Sequence, residues 1–203
     1  NRLQIRQCQF RINHTTETLQ EFAQTETWQE TWITAFGSVG NSLQAANLRQ
    51  TLLDGEFFEG LEIELLADET LEGAFGGYAA SEDTIYLASS LLESGSADLA
   101  QAVLLEEIGH AIDTRLSDSD TLGDEGAIFS ALVRGENLSE ETLANLTQED
   151  DFNAIVVDGE EILVEQATLT VDNTSDSGSG SLRQAIADAN AGDVITFADT
   201  IAN

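Results

Sequence analysis

Apolar residues recur at helical spacing between Glu26 and Leu53. The positions are Trp28, Trp32, Phe36, Val39, Leu43, Leu48 and Leu52. Gly37 and Gly40 interrupt the pattern, so this stretch is predicted to form two helices. Residues 1–25 are rich in Gln and Thr and show only weak periodicity, which predicts an N-terminal arm or a short leading helix.

The middle of the chain changes from a strand pattern to a helix pattern. The alternation in "LEIELLAD", residues 61–68, predicts a strand. The stretch "GGYAASEDTIYLASSLL", residues 76–92, predicts an irregular turn and then a strand at "TIYLA". A long apolar helix follows and ends near Leu116, with Ser96 as a candidate N-cap and Asp98 in the first turn.

Two further helices and a hairpin are predicted after an acidic loop, "SDSDTLGD". The segment "EGAIFSALVRG" forms a helix that ends at Gly135, with Asp124 placed to cap its start. A short helix fits residues 139–150, capped by Ser139. The stretch "AIVVDGEEILVEQ" predicts a hairpin that turns at Asp158 and Gly159.

Composition narrows the class of protein. Of the 203 residues 41% are hydrophobic, so a core can form, but 38 acidic residues face only seven basic ones, a formal net charge of −31. This charge repels nucleic acid and anionic membranes, which we therefore exclude as partners. It suits a salty or calcium-rich exterior. The absence of Met suggests a piece of a longer precursor, and the single Cys8 excludes an internal disulfide but could act as an inhibitory thiolate on a metal.

Candidate chemistry lies in "LLEEIGHAID", residues 104–113. Glu106 and His110 are four residues apart and share one helix face, while Glu107 lies at the edge of that face. Glu125, at the start of the next helix, can supply a third ligand, so Glu106, His110 and Glu125 are the predicted metal ligands. Zinc accepts carboxylate oxygen and imidazole nitrogen, but two carboxylates also favour calcium or manganese.

Other interpretations of the same residues remain open. The chain has only two histidines, so a three-His site is impossible, and a two-His site would require His14 from the N-terminal segment. Adjacent glutamates are often a solvated helix face, and a lone His is often structural. The acidic loop, with Asp118, Asp120 and Asp124, also loosely resembles a calcium-binding loop.

The "TIYLASSLL" strand followed by "LLEEIGHAID" and "DEGAIFSALV" resembles the zincin metallopeptidases, in particular the HEIGHAID-type branch related to the anthrax lethal factor catalytic domain. The resemblance covers roughly residues 60–135. It implies that His110 and Glu125 are the second and third ligands and that Glu107 is the general base. Glu106 stands at the first-ligand position, where the family has His, and this departure puts zinc affinity and activity in question.

The composition changes after Gln166. The segment "GSGSLRQAIADANAGDVITFA" resembles the start of right-handed parallel β-helix regions in large bacterial surface proteins. The expected fold class is therefore α+β, with an N-terminal arm at 1–25, a zincin-like domain at 26–166 and a truncated β-helix start at 167–203.

The expected function is a secreted or cell-surface bacterial metalloendopeptidase, with zinc as its metal and calcium or manganese as alternatives. Its substrate would be a peptide or protein, with the parent chain itself as one candidate. Two alternatives stay open. One is a silent pseudopeptidase that binds metal or peptide, and the other is a calcium-stabilised adhesive module.

Overall fold

Seven helices and a five-stranded mixed sheet make up most of the chain that the computed structural model describes, and a two-stranded sheet lies near its end. The described residues are 2–38, 42–93, 97–117, 121–149, 151–166, 169–171, 174–176, 181–183, 185 and 195–197. The α+β class predicted from the alternating helix and strand patterns is confirmed.

The helices follow the apolar periodicity of the sequence. They are α1 (Arg2–Gln24), α2 (Trp28–Phe36), α3 (Leu43–Asp54), α4 (Ser89–Glu93), α5 (Ala97–Leu116), α6 (Glu125–Val133) and α7 (Glu140–Leu146). Gly37 ends α2, as predicted. Asp124 caps α6 by accepting from the backbone N of Ala127, and Ser139 caps α7 through Thr142, both as predicted. The candidate cap Ser96 lies outside the described residues.

The N-terminal segment is helical over its whole length. Of the two predicted alternatives, arm or leading helix, the structure has the helix, but α1 extends for 23 residues and is longer than predicted. Its C-terminal half enters the core through Leu19, Phe22 and Ala23. The polar composition reflects the exposed face of α1, while these few apolar residues are sufficient to hold it against α3 and α5.

The large sheet has the strand order β1-β3-β2-β5-β4. Its strands are β1 (Glu62–Leu66), β2 (Gly76–Ala79), β3 (Thr84–Ala88), β4 (Phe152–Val157) and β5 (Glu160–Glu165). β1 pairs parallel with β3, and the other pairings are antiparallel. The prediction of an irregular turn at 76–79 was wrong. This stretch is the buried strand β2, where Gly76 allows close packing against α5 and Gly77 allows close approach to the neighbouring strand β5.

The β4–β5 hairpin turns at Asp158 and Gly159, as predicted. Both residues have positive φ, 52° and 89°, which the short Asp-Gly turn requires. The register runs from Val157 opposite Glu160 to Phe152 opposite Glu165. Among the described residues, one pair, Tyr78 with Glu165, joins the hairpin to β2.

A core of aromatic and aliphatic side chains lies around α5. Phe22 and Phe36 pack against Phe129 of α6 with ring centroids 5.7 and 5.6 Å apart, and Trp32 packs on Phe36. Most of α5 is buried, including several charged residues. A buried helix that carries carboxylates needs partners for them, which directs attention to its polar positions.

The C-terminal segment forms a separate small sheet. β6 (Leu169–Val171) pairs parallel with β7 (Ile195–Phe197), in the register Leu169 to Ile195. Val171 is buried but does not belong to the main core cluster of the described residues. No described helix combines the length and apolar character needed to cross a membrane.

Candidate metal centre

Two glycines bring α6 against the middle of α5. A Cβ added to Gly109 would lie 2.6 Å from the Cα of Gly126, and a Cβ on Gly126 would lie 2.5 Å from Nε2 of His110. Neither position tolerates a side chain without movement of the backbone or of His110. The close crossing places Glu125, the first residue of α6, beside the imidazole of His110 on α5.

The Nδ1 atom of His110 faces two carboxylates. Oε1 of Glu125 and Oε2 of Glu165 each lie 2.9 Å from it. Glu125 comes from α6 and Glu165 from the end of β5. Because an ionised carboxylate only accepts hydrogen bonds, Nδ1 carries the proton and donates it toward this pair.

The Nε2 atom of His110 faces a second pair of carboxylates. Oδ2 of Asp151 lies 3.5 Å away and Oδ1 of Asp124 lies 3.9 Å away. Neither distance is a normal hydrogen bond. His110 is fully buried. In the part of the chain that the structure describes, neither Nε2 nor the Asp151 Oδ2 that faces it has a hydrogen-bond partner, and both atoms are buried.

Burial and mutual repulsion raise the pKa of the carboxyl groups around Nε2. Burial raises the pKa of Asp124 to about 8 and that of Asp151 to about 7, although the charge of His110 opposes both shifts. Burial by itself lowers the pKa of His110, but the hydrogen bonds that it donates to Glu125 and Glu165 raise this pKa well above its usual value. Without a bound cation, these shifts favour the protonated forms of Asp124, Asp151 and His110.

Glu106 belongs to the Nε2 side of the imidazole. The residue is partly exposed, but its carboxyl group is buried. Burial and the charge of Asp124 raise its pKa well above the usual range, while His110 opposes the shift. The carboxyl group of Glu106 therefore interacts electrostatically with His110 and with Asp124.

Glu107 lies on the sheet side of α5 and is fully buried. A Cβ added to Gly76 of β2 would meet its Oε1 at 2.5 Å, so the glycine leaves the room that this carboxylate occupies. Gly76 thus has a specific reason to lack a side chain. The predicted general base therefore lies between α5 and β2, one residue from Glu106 but on a different face of the helix.

The remaining candidate residues have other contacts. Asp113 is buried and accepts from the backbone N and Oγ1 of Thr121, at 2.8 and 2.6 Å, which anchors the loop after α5. His14 lies on α1 with half of its side chain exposed, 3.9 Å from Glu17. Burial raises the pKa of the Cys8 thiol, which disfavours the thiolate form that binds metal.

The acidic loop of the calcium-binding alternative lies partly outside the described residues. Asp118 and Asp120 lie outside the described residues. Asp124, the third member of the proposed loop, caps α6 through Oδ1 and faces His110 with the same atom. Its contacts therefore tie it to the His110 region and to α6.

Three of the surrounding groups form a set of metal-ligand geometry. One nitrogen of His110, one oxygen of Asp151 and one oxygen of Glu165 all lie within 4.8 Å of one another. The two orphaned atoms, Nε2 of His110 and Oδ2 of Asp151, belong to the same set of residues. One imidazole with several carboxylates fits a divalent cation of zinc or manganese type.

Asp151 and Glu165 were not predicted as site residues. Their signal in the sequence is indirect. A two-residue turn at Asp158 and Gly159 fixes Phe152 opposite Glu165, so Asp151 and Glu165 must meet at the base of the hairpin. Nothing local indicates that this base lies beside His110.

Comparison with protein-family models, with curated proteins and with solved structures finds no match to the chain. The geometry around His110 is thus the basis for any functional inference.

Proposed function

We propose that the chain is a metal-dependent endopeptidase domain of zincin type, with its metal centre at His110. One observation carries the proposal: a single buried imidazole is enclosed by carboxylates from the start of α6 and from the β4–β5 hairpin, and these carboxylates outnumber the cationic groups that the described residues place beside them. Unpaired buried charges are costly, and a bound dication relieves that cost.

Several residues would hold the metal, and one residue, Glu107, would transfer protons. His110 supplies the nitrogen ligand, and the oxygen ligands come from the surrounding carboxylates, among which Glu106 and Glu125 were expected from the sequence. A bound zinc ion supplies a lowered pKa for its water and polarises a substrate carbonyl. Glu107 accepts the proton of the attacking water and returns it to the leaving amine.

Substrate and location follow from the same proposal. The substrate would be a peptide or protein, including the parent chain, and the domain would act outside a bacterial cell or at its surface. The formal net charge of −31 supports this location because external salt screens self-repulsion. It also favours substrates with basic residues over acidic ones.

A second candidate function is a domain that binds a cation for stability and does not catalyse hydrolysis. The observation in its favour is the complete burial of both His110 and Glu107. A catalytic centre requires that substrate reach the metal and the base, whereas a structural cation is normally enclosed. Either function requires the metal.

The experiment separates the three possible results. Metal content is measured on protein purified without chelator, for wild type and His110→Ala. Peptide cleavage is then followed for the wild type and Glu107→Gln. We expect about one metal per chain in the wild type and none in His110→Ala. Glu107→Gln is expected to keep the metal and to lose about 100-fold or more of the activity.

Metal in the wild type without cleavage of any peptide library would favour the structural candidate. A wild type with no metal at all would remove both candidates. Equal activity in Glu107→Gln and wild type would show that Glu107 is not the base.

A further inference from the structure

We propose that the base of the β4–β5 hairpin completes the metal site, with Asp151 and Glu165 as ligands beside His110, and that Glu125 is a positioning residue for the imidazole. The inference rests on the proposed metal centre and changes the ligand set expected from the sequence. It also predicts that metal binding ties the hairpin to α5.

The distance between Nε2 of His110 and Oδ2 of Asp151 supports Asp151 as a ligand. It is 3.5 Å, and neither buried atom has a hydrogen-bond partner among the described residues. Bonds of about 2.0–2.2 Å to one tetrahedral zinc place neighbouring ligand atoms roughly 3.3–3.6 Å apart. The two atoms are therefore spaced as ligands of one metal, and the metal takes the place of the Nε2 proton.

The role of Glu125 follows from the opposite edge of the ring. Its Oε1 lies 2.9 Å from Nδ1, which is a hydrogen-bond distance. A metal-binding histidine commonly donates its other N–H to a carboxylate, which fixes the ring and its tautomer. Glu125, held at the start of α6, matches that partner.

Glu165 is the second hairpin ligand. Nδ1 has one proton for two acceptors at equal distance, so one of the two carboxylates is surplus there. Glu165 is the one that forms the close group with Asp151 and His110. Asp151 and Glu165 are adjacent because the backbone N of Gln166 donates to the backbone O of Asp151 at the hairpin base.

Val164 anchors the hairpin in the core, but its polar attachments to other elements at this end are few among the described residues. One residue pair joins β5 to β2, and Gln166 Nε2 donates to the backbone O of Leu71 at 3.2 Å. Without a cation, the carboxylates at the hairpin base repel those of α6. A bound metal ion would attract both sets of carboxylates and would therefore hold the hairpin against the helices.

The test measures the affinity of zinc ions alone, by competition with a chelator, for the wild type and isosteric variants. Asp151→Asn and Glu165→Gln remove proposed ligands, and Glu125→Gln removes the positioning partner. Glu160→Gln and Glu161→Gln are matched controls, since both residues are exposed on the same hairpin. The cobalt(II) spectrum of each variant and hydrogen exchange of the β5 amides provide readouts independent of catalysis.

We expect Asp151→Asn and Glu165→Gln each to weaken zinc binding by more than about 100-fold and to alter the cobalt spectrum. Glu125→Gln should weaken binding by roughly 10–100-fold, the range of an outer-shell partner, and keep the spectrum. Both controls should stay within about twofold. Zinc should slow exchange of the β5 amides in the wild type and in the controls.

Folding of the variants is checked by thermal melting without metal. Asn and Gln keep the shape of the replaced side chains and cannot carry a negative charge, so the melting temperature of each ligand variant should equal or exceed that of the metal-free wild type. If the wild type binds zinc but the hairpin variants bind as tightly as the controls, the hairpin assignment is wrong while the metal centre stands. If the wild type binds neither zinc nor cobalt, the proposed function fails together with this inference.

Discussion

The His110 imidazole meets carboxylates from two regions of the molecule, the α6 side and the hairpin side, and the chain constructs these two regions differently. On the α6 side, Glu125 reaches Nδ1 through a close helix crossing that needs Gly109 and Gly126. On the hairpin side, Asp151 and Glu165 follow His110 by 41 and 55 positions in the sequence. The α6 side consists of residues close to His110 in sequence, so their spacing predicts much of it. The hairpin side depends on how the sheet packs against α5.

This difference determines how well each region withstands the repulsion between its carboxylates when no metal is bound. Both sides bring carboxylates to one imidazole, and neither brings enough cations. The α6 side is held by helix caps and packing whether or not a metal is present, because Asp124 caps α6 and Phe129 anchors it in the core. The hairpin side has less to oppose the repulsion. Each prediction below alters one side, or measures the two sides against each other.

The largest expected effect is a loss of stability in the metal-free protein as pH rises. Carboxyls whose pKa is raised on folding stabilise the fold below their unfolded pKa, near 4, and that stability is lost as pH rises through the folded values. Those values are about 8 for Asp124 and about 7 for Asp151, from a usual 3.8. One such shift corresponds to on the order of 4 kcal/mol.

Denaturant unfolding of metal-free protein between pH 5 and 8 measures this loss. Asp124→Asn, which keeps a good capping residue, reports the α6 side, and Asp151→Asn reports the hairpin side. Each variant should flatten the decline. A metal-free protein that becomes more stable from pH 5 to 8 would contradict the assignment of protonated carboxyls. With zinc present the trend should reverse, because binding requires deprotonated ligands.

A methyl group at Gly126 should damage the α6 side. Gly126→Ala puts a Cβ 2.5 Å from Nε2 of His110, so the ring or α6 must shift. We expect a loss of about 1–3 kcal/mol in unfolding free energy, despite the better helix propensity of Ala, and weaker zinc binding.

The control for this variant lies on the hairpin. Gly159→Ala meets no atom within 4 Å, and its cost comes only from the positive φ of 89°. It should destabilise by about 1–2 kcal/mol and leave zinc affinity unchanged. Normal zinc affinity in Gly126→Ala would mean that the room beside Nε2 is irrelevant to the metal.

Replacing Glu106, the residue at the predicted first-ligand position, with His should strengthen zinc binding. Glu106→His exchanges a charged oxygen ligand for a neutral imidazole on the Nε2 side. More positive charge remains on the metal, and zinc accepts nitrogen well. We expect zinc affinity to rise about tenfold, which corresponds to about 1.4 kcal/mol, and peptidase activity to rise with it.

Glu140→His serves as a control for an added histidine, because Glu140 is exposed in the first turn of α7. Glu106→Ala completes the series. Equal zinc affinity in wild type, Glu106→Ala and Glu106→His would show that Glu106 does not contact the metal. The ligands would then come mainly from the hairpin side.

The smallest effect is expected from removing the C-terminal segment. Truncation after Gln166 keeps both sides of the imidazole, and buried Val171 lies outside the main core cluster of the described residues. The melting temperature should therefore change by only a few degrees, since 1 kcal/mol shifts it by about 2–4 °C at this size. A drop above ~10 °C would place residues 167–203 within the domain and move the predicted boundary.

Sequence patterns predicted most elements of the fold, for local physical reasons. Apolar periodicity located α2, α3, α5 and α6, and the Asp158–Gly159 turn set the hairpin and its register. The error at β2 has an equally physical cause. Glycines at 76 and 77 signal a turn in isolation, but here they allow the strand to approach Glu107 on one face and Val164 on the other.

For the candidate site, sequence alone determined that Glu106 and His110 share a helix and that Glu125 follows at the start of the next one, because helix period and capping are local properties. Only the tertiary structure decided which carboxylates surround the imidazole. Asp151 and Glu165 reach His110 through the placement of the hairpin beside α5, which depends on the whole core. Short-range spacing determines which residues share an element, whereas packing determines which elements meet.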